Sequence, residues 1–233
     1  MKVAIMQPYF LPYIGYWQLL NYVDTFVIYD NIQFTKKGWI HRNRILDQGK
    51  DYLFSLPLKK DSDFLDVKDR VIAPDAKKSI QKIINKIENS YQKAPFYKAR
   101  IDLIKSCFLQ DESNLFQFIL NSVNWIMDEL SISTKLKISS EIHIDHSLKS
   151  QDKVLALSKA LNASEYINPI GGLDLYSKDD FIKAGVNLKF LKPLHIEYQQ
   201  FNHPFISSLS IIDLLMFNDN STIETYLDRF KLE

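Results

Sequence analysis

The chain opens with an apolar run, Val3-Ala4-Ile5-Met6, stopped at Gln7-Pro8. Proline cannot donate to a sheet ladder, so the pattern predicts a short buried strand over Val3–Gln7. Ile14, Trp17, Leu20 and Val23 then recur at helical spacing and predict a helix over 14–23, entered through the Pro12-Tyr13-Ile14-Gly15 turn. Thr25 to Tyr29 is β-branched and aromatic, which predicts a second buried strand ended by Asp30. Strand, helix, strand in so short a stretch is the opening of a parallel α/β sheet. Tyr52–Leu58 predicts a third strand.

The period then changes. Ile80, Ile83, Ile84, Ile87 and Tyr91 mark a helix over 75–91. The same spacing recurs over 95–109 and over 113–130, so residues 75–132 form a predicted helical section set into or against the sheet. From Lys135 the alternation of strands and helices resumes. Strands are predicted at 135–139, 165–168 and 187–191, and helices at 150–161 and 178–184, the latter closed by Gly185 at its C-cap. Two terminal helices follow at 209–217 and 221–230, with Ser210 an N-cap and Asp213 in the favourable first turn. The predicted fold is one α/β domain over 1–233, with a Rossmann-like, mostly parallel sheet, flanking helices and the helical section at about 75–132.

Composition narrows the function. Only 6 glycines occur, and neither Gly-x-Gly-x-x-Gly nor Gly-x-x-x-x-Gly-Lys-Ser/Thr is present, so the two familiar phosphate loops are excluded. Lys plus Arg is 29 and Asp plus Glu 28, a net charge of +1, which gives no global attraction for nucleic acid or anionic lipid. Any polyanion site must therefore be local. Aromatic residues make up 13%, fit for an aromatic-lined pocket or a packed interface such as that of a homodimer. The lone Cys107 sits among apolar residues at helical spacing; this reads as core rather than nucleophile and excludes an internal disulfide. No apolar stretch approaches the length of a signal peptide core or a membrane span, so the expected location is cytoplasmic, without membrane insertion.

Candidate chemistry gathers where predicted strands end. Gln7-Pro8-Tyr9-Phe10-Leu11-Pro12-Tyr13-Ile14-Gly15-Tyr16 follows the first strand and leads into a helix, the place where open α/β sheets bind ligands. Gln7, Tyr9 and Tyr16 would contact a ligand there, or the loop is a rigid turn packing the sheet edge. Asp30 ends the second strand and would hold a hydroxyl or act as a base, or else form an Asx turn. Between Asp30 and Asp47 there is no acid, while Lys36, Lys37, Arg42 and Arg44 give a local +4 interleaved with Trp39, His41 and Asn43. Guanidiniums fork onto phosphate and tryptophan stacks on rings, so this block suits a diphosphate; a solvated basic loop is the plain reading.

Weaker signals complete the set. Glu141, His143 and Asp145 would share one face if extended, as a metal or acid/base group, but no further ligand is placed by spacing, and no metal is expected. Gly171-Gly172 with Asp174 and Tyr176 follows another strand end, as an anion nest or a tight turn. His195, Gln199 and His203 are further polar candidates.

These blocks carry a resemblance. Gln7-Pro-Tyr-Phe-Leu-Pro-Tyr-Ile-Gly-Tyr16, Asp24-x-Phe-Val27, Asp30, Lys37-Gly-Trp39 and Arg42-Asn43-Arg-Ile45 look like the WbqC-like protein family. Gly171-Gly-x-Asp-Leu-Tyr176, Tyr198-x-Gln200 and Leu209-Ser-Ile-Ile-Asp-Leu-Leu215 match its later blocks, so the resemblance spans the chain. His41 departs from the family's usual pattern. The resemblance implies bacterial surface polysaccharide (O-antigen) synthesis, with transfer of glycine to an amino sugar as the activity associated with it. A fainter likeness joins the start to nucleotidylyltransferases, but their His-x-Gly-His is here Tyr13-Ile-Gly15-Tyr16, which lacks both histidines.

The expected activity is therefore a transferase joining a glycyl or similar acyl group to the amine of a nucleotide-linked amino sugar. Asp30 or His41 would take the proton. Lys36, Lys37, Arg42 and Arg44 would hold phosphates, Trp39 would stack, and amides near Gly15 or Gly171 would stabilise the oxyanion. ATP or an activated acyl donor would supply the acyl group, and the near-neutral charge argues against a tRNA. The alternative is a non-catalytic nucleotide-sugar- or partner-binding protein.

Overall fold

The structure, a computed structural model, describes all residues 1–233. The main sheet is built from β1 (Lys2–Met6), β2 (Thr25–Ile28), β5 (Lys135–Ile138), β6 (Glu165–Pro169), β7 (Asn187–Pro193) and β8 (Phe230–Leu232), in the order β5-β2-β1-β6-β7-β8. Its pairings are parallel except that of β7 with β8, which is antiparallel. The remaining two strands, β3 (Arg42–Asp47) and β4 (Lys50–Ser55), form a separate antiparallel hairpin. The α/β expectation is met, and so is the helical middle: α2 (Ala76–Tyr91), α3 (Tyr97–Phe108) and α4 (Leu115–Glu129) occupy it.

Alternation along the buried strands sends side chains to two cores. Ala4, Phe26, Ile28 and Ile167 face the larger core, with α1 (Ile14–Tyr22), the helical middle, α7 (Ile211–Phe217) and α8 (Asn220–Leu227). Val3, Ile5, Val27 and Tyr166 face the smaller core, with α5 (Ser150–Ala160) and α6 (Lys178–Lys183). Strands buried on both faces read as continuous apolar runs, as these do. Each side chain fully buried in such a core contributes about 1.5–3 kcal/mol.

Two sequence expectations change. The strand expected at Tyr52–Leu58 is β4, and its partner β3 was hidden in the basic block. The stretch Ser139–Asp145 is not extended: Ser139–Glu141 is a 3-10 turn followed by bends, so Glu141, His143 and Asp145 do not share a strand face. The predicted caps are present. Ser210 accepts from the Ile212 amide, and Gly185 closes α6 at φ +77°.

A candidate site at the crossover of the sheet

From β1 the chain moves outward to β2 on one side, and later returns through α5 to lay β6 on the other. In a doubly wound sheet that reversal opens a crevice at the carboxyl ends of the strands, the usual ligand position. Here the crevice measures about 930 Å³. Gln7 and Tyr9 line it after β1, Tyr29 and Asn31 after β2, Asn168 near the end of β6, and Gly171, Gly172 and Tyr176 after it. His146, Lys149 and Lys153 come from the approach and first turn of α5, and Asp66 from the far rim.

Lys153 is the central charge. It is 4% exposed, its Nζ donates to the Asn31 carbonyl at 3.2 Å, and it lies 4.9 Å from the centre of the Tyr29 ring. Burial pulls its pKa below the ordinary lysine value, with Asp66 and Asp30 acting against that shift. Asp66 moves the other way: burial, and then the neighbouring Asp69, raise its pKa above the usual carboxylate value. Burial, with Tyr176 and Asp66, pushes the Tyr29 phenol up to about 12.

His146 is held in one tautomer. The Ile142 carbonyl can only accept, so Nε2 carries the proton it shares at 3.0 Å, and Nδ1 accepts from Asn31 Nδ2 at 2.9 Å. Asn31 thus sets both His146 and Lys153. Its own Oδ1 lies 2.6 Å from Ser139 Oγ, whose one proton it shares with Asp30 Oδ1.

Asp30 lies beneath this layer, not on the crevice wall. It is 2% exposed, and its oxygens accept from Ser139 Oγ, the Ser140 amide and Ser140 Oγ at 2.8, 2.9 and 2.6 Å. Those bonds leave it no opening to a ligand; it ties the exit of β2 to the exit of β5. Tyr16 is also withdrawn, buried in the larger core with its hydroxyl on the Gln7 carbonyl.

Most cations of the basic block already have protein partners. Lys36 pairs with Asp63, and Arg44 Nη1 with Asp51 at 3.1 Å. Arg42 donates to the carbonyls of Gly38 and Lys37, and Lys37 has no ion pair. Asn43 is buried, and its Nδ2 holds the Phe10 and Leu11 carbonyls. His41 packs against Phe34 with Nδ1 buried and unpartnered. Burial, then the charges of Arg42 and Arg70, lower its pKa to about 4, so it is neutral at pH 7 and lines no part of the crevice.

Gly171 and Gly172 sit in a 3-10 turn over Ile170–Leu175. A side chain at Gly171 would meet nothing within 4 Å, whereas one at Gly172 would strike Asn168 Nδ2. A side chain at Gly172 would thus force the Asn168 amide to move. Asp174, His195, Gln199 and His203 lie outside the crevice lining. Cys107 is buried, and burial pushes its thiol up to about 12, in keeping with a core role. No three His, Cys, Asp or Glu side chains come together as a metal site would need.

Of the residues the sequence singles out, Gln7, Tyr9, Gly171, Gly172 and Tyr176 line the crevice; Tyr29, Asn31, Asp66, His146 and Lys153 line it as well and carry no such motif in the sequence. One signal was available for Lys153. A helix that follows a parallel strand starts at the strand's carboxyl edge, so its first turn faces the crevice.

The crevice lies where doubly wound α/β sheets bind their ligands. The chain belongs to the WbqC-like protein family, whose model matches residues 7–225. It is similar to the uncharacterised protein Rv1507c of Mycobacterium tuberculosis, 27% identical over 229 residues that cover 97% of each chain. No solved structure matches it. Membership suggests a role in polysaccharide biosynthesis. No helix is long and apolar enough to cross a membrane.

Proposed function

We propose that the crevice holds a nucleotide-linked amino sugar and that the protein transfers a glycyl or similar acyl group to the sugar's amine, in the assembly of bacterial surface polysaccharide. Family membership supports the setting. The observation that carries the chemistry is that a buried cation, Lys153, and a carboxylate of raised pKa, Asp66, line the same crevice. Lys153, with Lys149 outside it, suits phosphate oxygens. A raised carboxylate sits nearer working pH and is the better proton acceptor.

In this reading the sugar amine attacks the acyl carbon of an activated donor. The carbon–nitrogen bond forms, the amine proton passes to Asp66, and the leaving group departs with the electrons of the bond it breaks. Asp66 takes the role first given to Asp30 or His41, because neither of those lines the crevice. Lys153 takes the phosphate role first given to the basic block, most of whose cations are already paired.

Purified protein incubated with a UDP- or dTDP-linked amino sugar, glycine and ATP should yield sugar nucleotide heavier by one glycyl unit. Lys153→Met should weaken sugar-nucleotide binding at least roughly tenfold, since it removes a buried charge from its anionic partner. Asp66→Asn should spare binding and cut turnover about a hundredfold. Tight binding with no product from any donor would make the protein a binding module instead.

A further inference from the structure

Tyr9 has a second side. Beyond it lies a smaller hollow of about 280 Å³, walled by the rings of Tyr9, Tyr13 and Trp39, with Pro12 and Arg44. Tyr9 lines both spaces, so the hollow adjoins the crevice. Its size lies just below the roughly 300–1,000 Å³ of whole small-molecule sites, which suits one ring system rather than an entire sugar nucleotide.

The walls are fixed in place. Arg42 and Arg44 are two apart on β3 and so share a face, and they hold their guanidiniums 5.5 and 5.6 Å from the centre of the Trp39 ring. Trp39 nevertheless remains 43% exposed, and Tyr13 37%. Behind the wall, next to Pro12, the buried Leu11 adopts φ 47° without being glycine. Asn43 Nδ2 and Ser210 Oγ both clamp its carbonyl, at 2.7 Å each, and the Ile211 amide holds that of Pro12. Ser208, on the rim, has φ 57° and accepts from Arg44 Nη2. Left-handed residues other than glycine persist where surroundings over-determine them, and they cluster at ligand clamps. The hollow is a preorganised aromatic box beside cations.

We infer that this hollow takes the nucleobase of the substrate, stacked on Trp39, with the phosphates passing Tyr9 toward Lys153. This rests on the crevice being the nucleotide-sugar site. It goes further by giving the ligand a direction, and it turns the basic block from a phosphate grip into the support of a stacking platform.

Calorimetric titration of the full chain with UMP, dTMP and ribose 5-phosphate tests it, at one fixed salt concentration. Trp39→Ala should weaken nucleotide binding about tenfold or more and leave ribose 5-phosphate unchanged; Trp39→Phe should keep most of the affinity. Lys153→Met should weaken both ligand classes. Trp39 is exposed, so an unchanged melting temperature will certify folding. Nucleotide affinity untouched in Trp39→Ala overturns the base site and leaves the crevice reading standing, as does an equal loss for ribose 5-phosphate. Absence of nucleotide binding in the parent protein overturns both. Trp39-dependent nucleotide binding without glycyl transfer keeps the base site and overturns only the reaction.

Discussion

Asp30 and Asp213 are both buried carboxylates bonded to several donors, yet they serve different parts of the molecule. Asp213 is 0% exposed in the larger core. It accepts from Tyr91 and Tyr198 hydroxyls at 2.8 and 2.7 Å and from Gln200 Nε2 at 2.6 Å. Tyr91 in turn accepts from the Leu46 amide, so this one side chain joins β3, α2, α7 and the segment after β7. Asp30 has partners of another kind. Ser139 leads from it to Asn31, and Asn31 to His146 and Lys153 on the crevice wall. Burial and bonding alone do not tell such residues apart. What the partners line does: core in one case, the crevice in the other.

That contrast can be broken at Asp213 first. Asp213→Ala would strand two hydroxyls and an amide inside the core, at a cost of about 3–5 kcal/mol. Urea denaturation should show that loss, while sugar-nucleotide affinity of the folded fraction stays at the parent value. A loss of stability under 1 kcal/mol would show that the network carries little weight.

The next effect is a pH dependence of stability. Burial raises Asp213 to about 6, against the three bonds that lower it, and in the unfolded chain the group titrates near 3.9. The native state therefore holds the extra proton between those values, and this contribution to stability falls as pH rises from about 4 to about 6. Two units correspond to something on the order of 2–3 kcal/mol. Denaturation of the parent and of Asp213→Asn should differ by an amount that drifts in the parent's disfavour across that window. A difference flat with pH would show that Asp213 ionises normally.

The smallest effect should come from the Asp30 side. Asn31→Ala removes the side-chain amide that holds His146 and keeps the backbone carbonyl that holds Lys153, so sugar-nucleotide affinity should drop about threefold, roughly 0.7 kcal/mol, with a melting temperature within a few degrees of the parent. Calorimetry and thermal unfolding on one preparation decide it. The reverse outcome, intact binding with a large melting shift, would place Asn31 with Asp213 as a structural residue.

The same contrast explains what the sequence made legible. Long periodic stretches such as Ile80 to Tyr91 announced their helices, and apolar runs announced β1 and β2. β3 stayed hidden because a buried asparagine, Asn43, takes an inward position between two arginines, so its period of two reads as charge. β8 is three residues at the terminus and looked like the end of a helix. The crevice was half visible for a related reason. Loops after β1 and β6 carry dense signatures, whereas Lys153, His146 and Asp66 come singly from polar stretches that only the sheet order brings together.

The bond from Ser139 to Asp30 spans 109 residues of sequence, and the strand it secures, β5, is four residues long at the edge of the sheet. Closing a flexible loop of that length costs about 4 kcal/mol of chain entropy beyond a constant. One short ladder cannot offset that from an unfolded chain. The hairpin and the helical middle would shorten the effective loop before β5 docks, so β5 should join the sheet after β1 and β2 have paired. In pulse-labelled hydrogen exchange the Lys137 amide should gain protection after that of Val27, and simultaneous protection would disprove the order. The crevice wall that hangs on Asn31 would then take shape only after the β1–β2 pair it is built on.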